Sequence, residues 1–302
     1  QQSRDGEDVR RCVGGDDVNL TIIIATRGRP ELLLETVRHT ALNMAKPATR
    51  LLICVDDDDI PTLDALNRLP TDDRITCSIK PREDSRGEKY DRVLTEARAD
   101  IYLPAVDYAP ILTPGFDQAI VNAAQCWPDQ IGIVCTPMID EIIPGLQAIT
   151  AKLAEKLGGI YNPDYPFWFI DHEMMDIAAM IDRIAFVDVD VDFSKRPHKT
   201  HRLRDLWFWT LYYDAMSEER RLKARAIIDS PEFDFPPWHK VQIREYWQLV
   251  QARSLDRHGR VRAQAHLIEA SRGVGGIPDE GYLRLFTKAK AKIDHMIEQQ
   301  AA

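Results

Sequence analysis

Thr21-Ile-Ile-Ile-Ala-Thr-Arg-Gly-Arg-Pro30 is an apolar run that stops abruptly in a hydroxyl and two cations. Leu51-Leu-Ile-Cys-Val-Asp-Asp-Asp-Asp59 repeats the pattern and stops in four consecutive aspartates. Neither run alternates, which is how strands buried on both faces of a parallel sheet read. Between them Leu33, Leu34, Val37, Ala41 and Met44 recur at helical spacing behind Pro30, a residue suited to a helix's first turn. A strand-helix-strand unit brings both strand ends to one edge of a sheet, and open α/β sheets bind ligands outside those carboxyl ends. Thr26, Arg27 and Arg29 suit a diphosphate there, while Asp56, Asp57, Asp58 and Asp59 suit ribose hydroxyls or a base N–H. The two ends together predict a nucleotide-containing ligand.

Outward from this unit the pattern continues. Strands are expected near 74–79, 101–106, 131–136 and 184–191, with helices near 87–98, from Thr113-Pro-Gly-Phe-Asp117, and over 144–158 up to Gly158-Gly159. Such alternation predicts an α/β fold with a mostly parallel central sheet flanked by helices. Beyond about 204 the chain turns helical and aromatic (Trp207, Phe208, Trp209, Tyr212, Tyr213), and Pro231 and Pro236-Pro237 mark a break. The organisation read from this is a flexible segment 1–18, a catalytic domain 19–214 and a helical extension 215–302.

The formal charge is −9, with 36 acidic against 24 basic residues in 1–214 but 12 against 15 in 215–302. An acidic body argues against nucleic-acid binding by bulk charge and leaves only the tail for a local basic stripe. The five cysteines are scattered without a CxxC pair, which predicts a reducing compartment and no structural zinc; Cys54, Cys77 and Cys135 fall in expected strands as small buried hydrophobes. No apolar stretch reaches membrane-span length, and Gln1-Gln-Ser-Arg-Asp-Gly6 lacks the apolar core of a secretory leader, so no membrane insertion and a cytoplasmic location are expected. No Gly-Lys-Ser/Thr phosphate loop, GxGxxG or GxSxG is present, which excludes the commonest kinase, dinucleotide and serine-hydrolase patterns.

Thr26-Arg-Gly-Arg-Pro30 after a first strand, the aspartates after the second, and Asp107 followed by Thr113-Pro-Gly-Phe-Asp117 after another resemble a GT-A glycosyltransferase of the family 2 type. The resemblance covers about residues 19–205. It implies a nucleotide-diphospho-sugar donor, foremost a UDP-sugar, and transfer of a hexose or pentose to an acceptor hydroxyl with inversion. It also implies an Asp-x-Asp motif after the strand ending at Val106. Asp107 fills the first position but Ala109 fills the second, so the divalent cation (Mn²⁺ or Mg²⁺) that such a motif holds has one carboxylate here. His201, in the segment Lys195-Arg-Pro-His-Lys-Thr-His201, is the second candidate ligand, with His198 its neighbour.

Tyr165-Pro-Phe-Trp-Phe-Ile-Asp-His-Glu173 reads as an aromatic, strand-like run opening a helix. Family members carry their catalytic carboxylate at a comparable point, and glycosyltransferase-like proteins of bacteriophages resemble the chain in this segment and in Thr-Pro-Gly-Phe-Asp. That makes Asp171 the candidate general base, with Glu173 and His172 as alternates; the competing reading of Asp171 is a helix N-cap. Asp188, Asp190 and Asp192 alternate with valines as on one wet face of a strand. Arg86 and Lys89, with Arg82, are candidate phosphate contacts at a helix start. The phage-like features suggest a modified base in DNA as acceptor, in a host cytoplasm, with a protein or a glycan as alternatives. Two other functions remain open: an inactive nucleotide-sugar-binding module, favoured by Ala109, and a nucleotidyltransferase, disfavoured by the lack of a glycine-rich loop after the first strand.

Overall fold

A computed structural model describes residues 18–69, 71–137, 144–195, 206–229 and 280–301. Seven strands form one sheet: β1 Leu20–Ala25, β2 Arg50–Asp56, β3 Ile75–Lys80, β4 Ile101–Val106, β5 Ile133–Cys135, β6 Gln147–Thr150 and β7 Ile184–Phe186. The order is β3-β2-β1-β4-β6-β5-β7. β1, β2, β3 and β4 run parallel, β7 runs parallel to β5, and β6 alone is antiparallel to its neighbours β4 and β5. The described helices are α1 Pro30–Asn43, α2 Ile60–Leu66, α3 Arg86–Glu96, α4 Phe116–Ala124, α5 Ala151–Leu157, α6 Ile170–Met180, α7 Leu206–Ala215, α8 Ser217–Ile228 and α9 Glu280–Ala301. This is the α/β architecture expected, a mostly parallel sheet flanked by helices and followed by a carboxyl-terminal helix.

Side-chain alternation along β1 divides the core between the two faces. Ile22 and Ile24 pack with Leu33, Val37, Phe116 and Ile120 from α1 and α4. Ile23 points the other way, onto Tyr90, Val93, Leu153, Met174 and Ile177 from α3, α5 and α6. A third cluster joins Tyr165, Phe169 and Ile170 to Trp209, Tyr212 and Tyr213 of α7 and Leu285, Ala289 and Ile293 of α9.

Four expectations give way. The helix expected over 144–158 is a strand, Gln147–Thr150, followed by the shorter α5; all four strand residues are buried between β4 and β5, so no face alternates and periodicity cannot distinguish the two. Its end is as expected, with Gly158 at φ +80° closing α5. The strand expected over 184–191 leaves the sheet after Val187, whose N–H still meets the Cys135 carbonyl at 2.9 Å, because Val189 N–H turns back onto the Val187 carbonyl at 3.0 Å. Beyond that turn the segment lies against the loop after β4, with Leu112 N–H on the Asp190 carbonyl at 2.9 Å and Asp192 N–H on the Pro110 carbonyl at 3.0 Å. The aromatic run 165–169 is a series of turns rather than a strand, with the rings of Tyr165, Trp168 and Phe169 taken up by the third cluster. Cys54 and Cys135 are buried as expected, but Cys77 is exposed because β3 is an edge strand.

Candidate functional site

The strand order places the topological switch between β1 and β4. From β1 the chain moves outward through β2 to β3, then crosses back to lay β4 on the other side of β1. Loops leaving the carboxyl ends of two such strands diverge and open a crevice where ligands bind. Here the crevice floor is Asp107, only 1 % exposed. Its Oδ2 accepts the Thr26 hydroxyl at 2.8 Å, and its Oδ1 lies 2.9 Å from a guanidinium nitrogen of Arg29. Arg29 also lies over the ring of Tyr108, 5.5 Å from its centroid.

The β2 end adds a second charge network. Arg27 donates to Asp56 Oδ2 at 2.9 Å and to both oxygens of Asp58, one of them at 2.9 Å. The hydrogen bond to Asp58, then that to Asp56, holds the Arg27 pKa above its ordinary value against a burial cost, and Arg27 in turn holds exposed Asp58 below the usual carboxylate range. Buried Asp56 is bracketed from the other side by the Lys89 ammonium of α3. Asp59 accepts the Gly28 N–H at 2.7 Å, and Gly28 sits at φ +65°, a left-handed conformation that a side chain would strain. Asp57 differs: it is exposed, and its own N–H reaches the Lys80 carbonyl at 2.9 Å.

Arg86 does not line a phosphate-ready helix start. Ser85 caps α3 by accepting the Glu88 N–H at 3.0 Å, while Arg86 donates to the Tyr90 hydroxyl at 3.0 Å and lies over the rings of Tyr90 and Phe167, 5.5 and 5.2 Å from their centroids. Tyr90 in turn donates to the Ala105 carbonyl at the end of β4, 3.1 Å away, so Arg86 stands at the flank of the crevice.

Asp171 is the second residue of α6, and the cap position belongs to Phe169 at φ +70°, so the N-cap reading of Asp171 is not what the structure shows. A bulky residue in the left-handed region costs about 1–2 kcal/mol. Phe169 is held there by packing, its ring stacked on Tyr213 at 4.8 Å and 22°. Asp171 Oδ1 accepts the His172 N–H at 3.0 Å and lies 3.0 Å from His172 Nδ1. Burial raises the Asp171 pKa, but His172 outweighs it and keeps the carboxyl below its ordinary value. Tyr161 links this carboxylate to the crevice: its ring meets Tyr90 at 5.2 Å, and its hydroxyl pKa, raised well above the usual by desolvation, is raised further by Tyr90 and Asp171 and opposed by Arg86.

Glu173 points elsewhere. Residues two apart on a helix do not share a face, and Glu173 takes the Asn162 amide at 3.0 Å and the Lys223 ammonium of α8 at 3.0 Å. Together they border a cavity of about 50 Å³, water-sized and too small for a sugar. The structure thus gathers Thr26, Arg27, Arg29, Asp56, Asp58, Lys89 and Asp107, sets Arg86 beside them through Tyr90, leaves Asp57 outward, and places Asp171 next to Tyr161 and Glu173 against α8. His201, like His198, lies outside the described residues. The sequence reading missed the aromatic lining of Tyr90, Tyr108, Phe167 and Tyr161. Two signals were present: Tyr108 follows Asp107 directly, and Tyr90 stands four residues, about one helical turn, after Arg86.

A divalent cation needs several oxygen ligands with compensating charge. Asp107 already faces a hydroxyl and a guanidinium, and Ala109, 1 % exposed, offers no side-chain donor. No group of three His, Cys, Asp or Glu among the described residues is arranged to hold a metal ion. Among the described residues the protein by itself does not supply a donor set for Mn²⁺ or Mg²⁺.

No family model matches the chain, and no curated protein matches it. Among solved structures, the mannosyltransferase PcManGT from Pyrobaculum calidifontis, in complex with GDP-Man and Mn²⁺, is similar over 91 % of this chain and 80 % of its own, at 18 % identity and TM-score 0.50. S. aureus TarS 1-349 is similar over 75 % of this chain and 69 % of that one, at 13 % identity and TM-score 0.49. The likeness to the mannosyltransferase bears on fold, and the fold of this chain is GT-A-like.

Proposed function

We propose that the chain is a glycosyltransferase that moves a sugar from a nucleotide-diphospho-sugar, a UDP-sugar foremost, to an acceptor hydroxyl with inversion. The observation that carries this reading is the charge cluster at the carboxyl ends of β1 and β4, where Thr26 and Arg29 hold Asp107, with Arg27 and the β2 aspartates beside it. The cations suit the diphosphate and the aspartates suit the nucleoside. That a mannosyltransferase of the same fold is solved with GDP-Man agrees with this class of donor.

In this reading Asp171 takes the acceptor's proton as its oxygen attacks the anomeric carbon. A carboxylate held ionised by His172 is in the right state to accept it near neutral pH. Glu173, tied to Lys223 and Asn162, fixes α6 against α8 and so holds Asp171 in place. The unit boundaries at 18/19 and 214/215 are part of the same proposal. A modified DNA base as acceptor rests on the phage-like sequence features and the net charge of 215–302, and α9 lends it little, because its Arg284, Lys288, Lys290 and Lys292 sit in ion pairs with Asp84, Asp164, Asp294 and Glu219. Among the described residues no helix is long and apolar enough to cross a membrane.

The test is turnover. Incubation with UDP-glucose and GDP-mannose should release nucleoside diphosphate slowly through hydrolysis, and faster once a hydroxyl acceptor is found. Tight binding of every nucleotide-sugar with no release, acceptors included, would make the chain a binding module. Pyrophosphate formed from a nucleoside triphosphate and a sugar phosphate would make it a nucleotidyltransferase.

A further inference from the structure

The misfit between this site and a divalent cation has a counterpart in the loop that faces it. We propose that the Arg29 guanidinium, seated on Asp107, is the chain's own cation for the donor's diphosphate, so that binding the diphosphate needs no metal. The proposal rests on the nucleotide-sugar reading and adds to it the identity of the charge that holds the leaving group.

Charge balance is the first argument. Two carboxylates around a divalent cation sum to zero. With Ala109 in place of the second carboxylate, one Asp107 balances one monovalent cation, and Arg29 supplies it at 2.9 Å. Without nucleotide, a divalent ion added beside Asp107 would meet Arg29 at close range, and position 109 supplies no second carboxylate to offset the repulsion.

Geometry is the second. Asp107 is 1 % exposed while the Arg29 side chain keeps 17 % of its surface open, so of the two charges the cation is the one that retains solvent access, although its nitrogen on Asp107 is buried. The Thr26 hydroxyl fixes the other carboxylate oxygen, and the Tyr108 ring limits how the guanidinium plane turns. A planar fork has five N–H donors, more than one carboxylate takes up, and its spacing matches phosphate oxygens. In the transfer step the acceptor oxygen bonds the anomeric carbon and its proton passes to Asp171. The bond from that carbon to the β-phosphate oxygen breaks, and its electron pair stays on the departing diphosphate. The charge so developed lies where Arg29 stands.

Calorimetric titration of the full chain with UDP, GDP, UMP and GMP, in EDTA and again with added Mn²⁺, tests this. The expected result is a diphosphate Kd that is the same in both buffers. Arg29→Met should weaken UDP or GDP by about 10–100-fold, as loss of a charged hydrogen-bond pair does, with a smaller change for the monophosphates and partial recovery in Arg29→Lys. Because Arg29→Met takes the guanidinium away from a buried carboxylate, the double variant Arg29→Met/Asp107→Asn, which removes both charges, is titrated alongside and should show the same diphosphate loss. Binding that requires Mn²⁺ and is indifferent to Arg29 overturns this inference alone. Binding of no nucleotide in either buffer overturns the transferase reading with it.

Discussion

At the ends of β1 and β4 buried polar groups are held by loops, whereas at the junction of α6, α7 and α9 they are held by helices. In the crevice, Asp107 and Asp56 meet cations whose side chains are partly open to solvent, Arg29 at 17 % and Arg27 at 38 %. At the junction, Tyr165 packs on Tyr212 at 5.3 Å and Phe169 on Tyr213 at 4.8 Å, and the polar tips are tied within the cluster. Trp209 donates to Tyr282 at 3.1 Å, Tyr213 donates to buried Asp176, and Arg220 lies 3.6 Å from the centroid of the Tyr213 ring. A ligand can take the place of a carboxylate on a loop cation, but nothing can exchange inside stacked rings without opening the helices. The two regions meet at Phe169, where the packed junction imposes the left-handed turn that starts α6 and aims Asp171.

The sharpest way to break this comparison is Asp171→Asn. If Asp171 belongs functionally to the crevice, transfer should fall about 10²–10⁴-fold, the usual worth of a general base. Because the cap residue is Phe169 rather than Asp171, the melting temperature should hardly move. A variant that melts early yet transfers at the wild-type rate would assign Asp171 to the junction and leave the base unidentified.

Trp209→Ala attacks the other side. Trp209 is fully buried, and truncating such a ring costs about 3–5 kcal/mol. Urea unfolding should show that loss, while the nucleotide Kd of the folded fraction stays as in wild type. A large change in Kd at full folding would mean that the junction reaches the crevice directly.

The sequence disclosed the crevice better than the junction, for a physical reason. A parallel strand buried on both faces must end where its apolar run ends, so Ala25 and Val106 are legible, and so is the chemistry at Thr26, Arg29 and Asp107 just past them. The four aspartates were legible only as a group, since nothing in a run of identical residues says which one turns inward. Gln147–Thr150 is not legible as a strand because a fully buried strand has no period. Asp188, Asp190 and Asp192 alternate, yet a hydrogen bond between Val189 and Val187 takes them out of the sheet. The junction could be foreseen as aromatic, but its packing onto the loop before α6 depends on contacts distant in sequence.

Asp91 of α3 tests a third arrangement, a half-buried carboxylate answered by backbone rather than by a cation. It accepts the Ile160 N–H at 2.8 Å, and burial, only partly opposed by the N–H groups of Ile160 and Tyr161, pushes its pKa up to about 6 from an ordinary 3.8. The folded pKa therefore lies above the unfolded one, so between about pH 4 and 6 the native state binds the extra proton and stability falls as pH rises. Asp91→Asn should remove that slope: the stability of wild type relative to the variant declines across this window and is constant above it. Parallel pH profiles would show that the Ile160 and Tyr161 amides compensate the burial fully.

The smallest effect is expected from Asp57→Ala, and it sharpens the comparison by dividing the aspartate run. Asp56 is buried between Arg27 and Lys89, and Asp59 holds the Gly28 N–H that shapes the loop bearing Arg27 and Arg29. Asp57 has only its backbone in that structure, and its side chain is exposed. An exposed charge is worth about 0–1 kcal/mol, so nucleotide Kd should stay within about fivefold of wild type. Asp59→Ala should weaken binding more, through the loop rather than by touching the ligand, and Asp56→Ala more again, because it leaves two cations without their buried partner. If Asp57→Ala proves the most damaging of the three, the nucleoside sits on the outer rim of the β2 turn. The inward network would then be scaffolding for it, much as the rings are for Asp171.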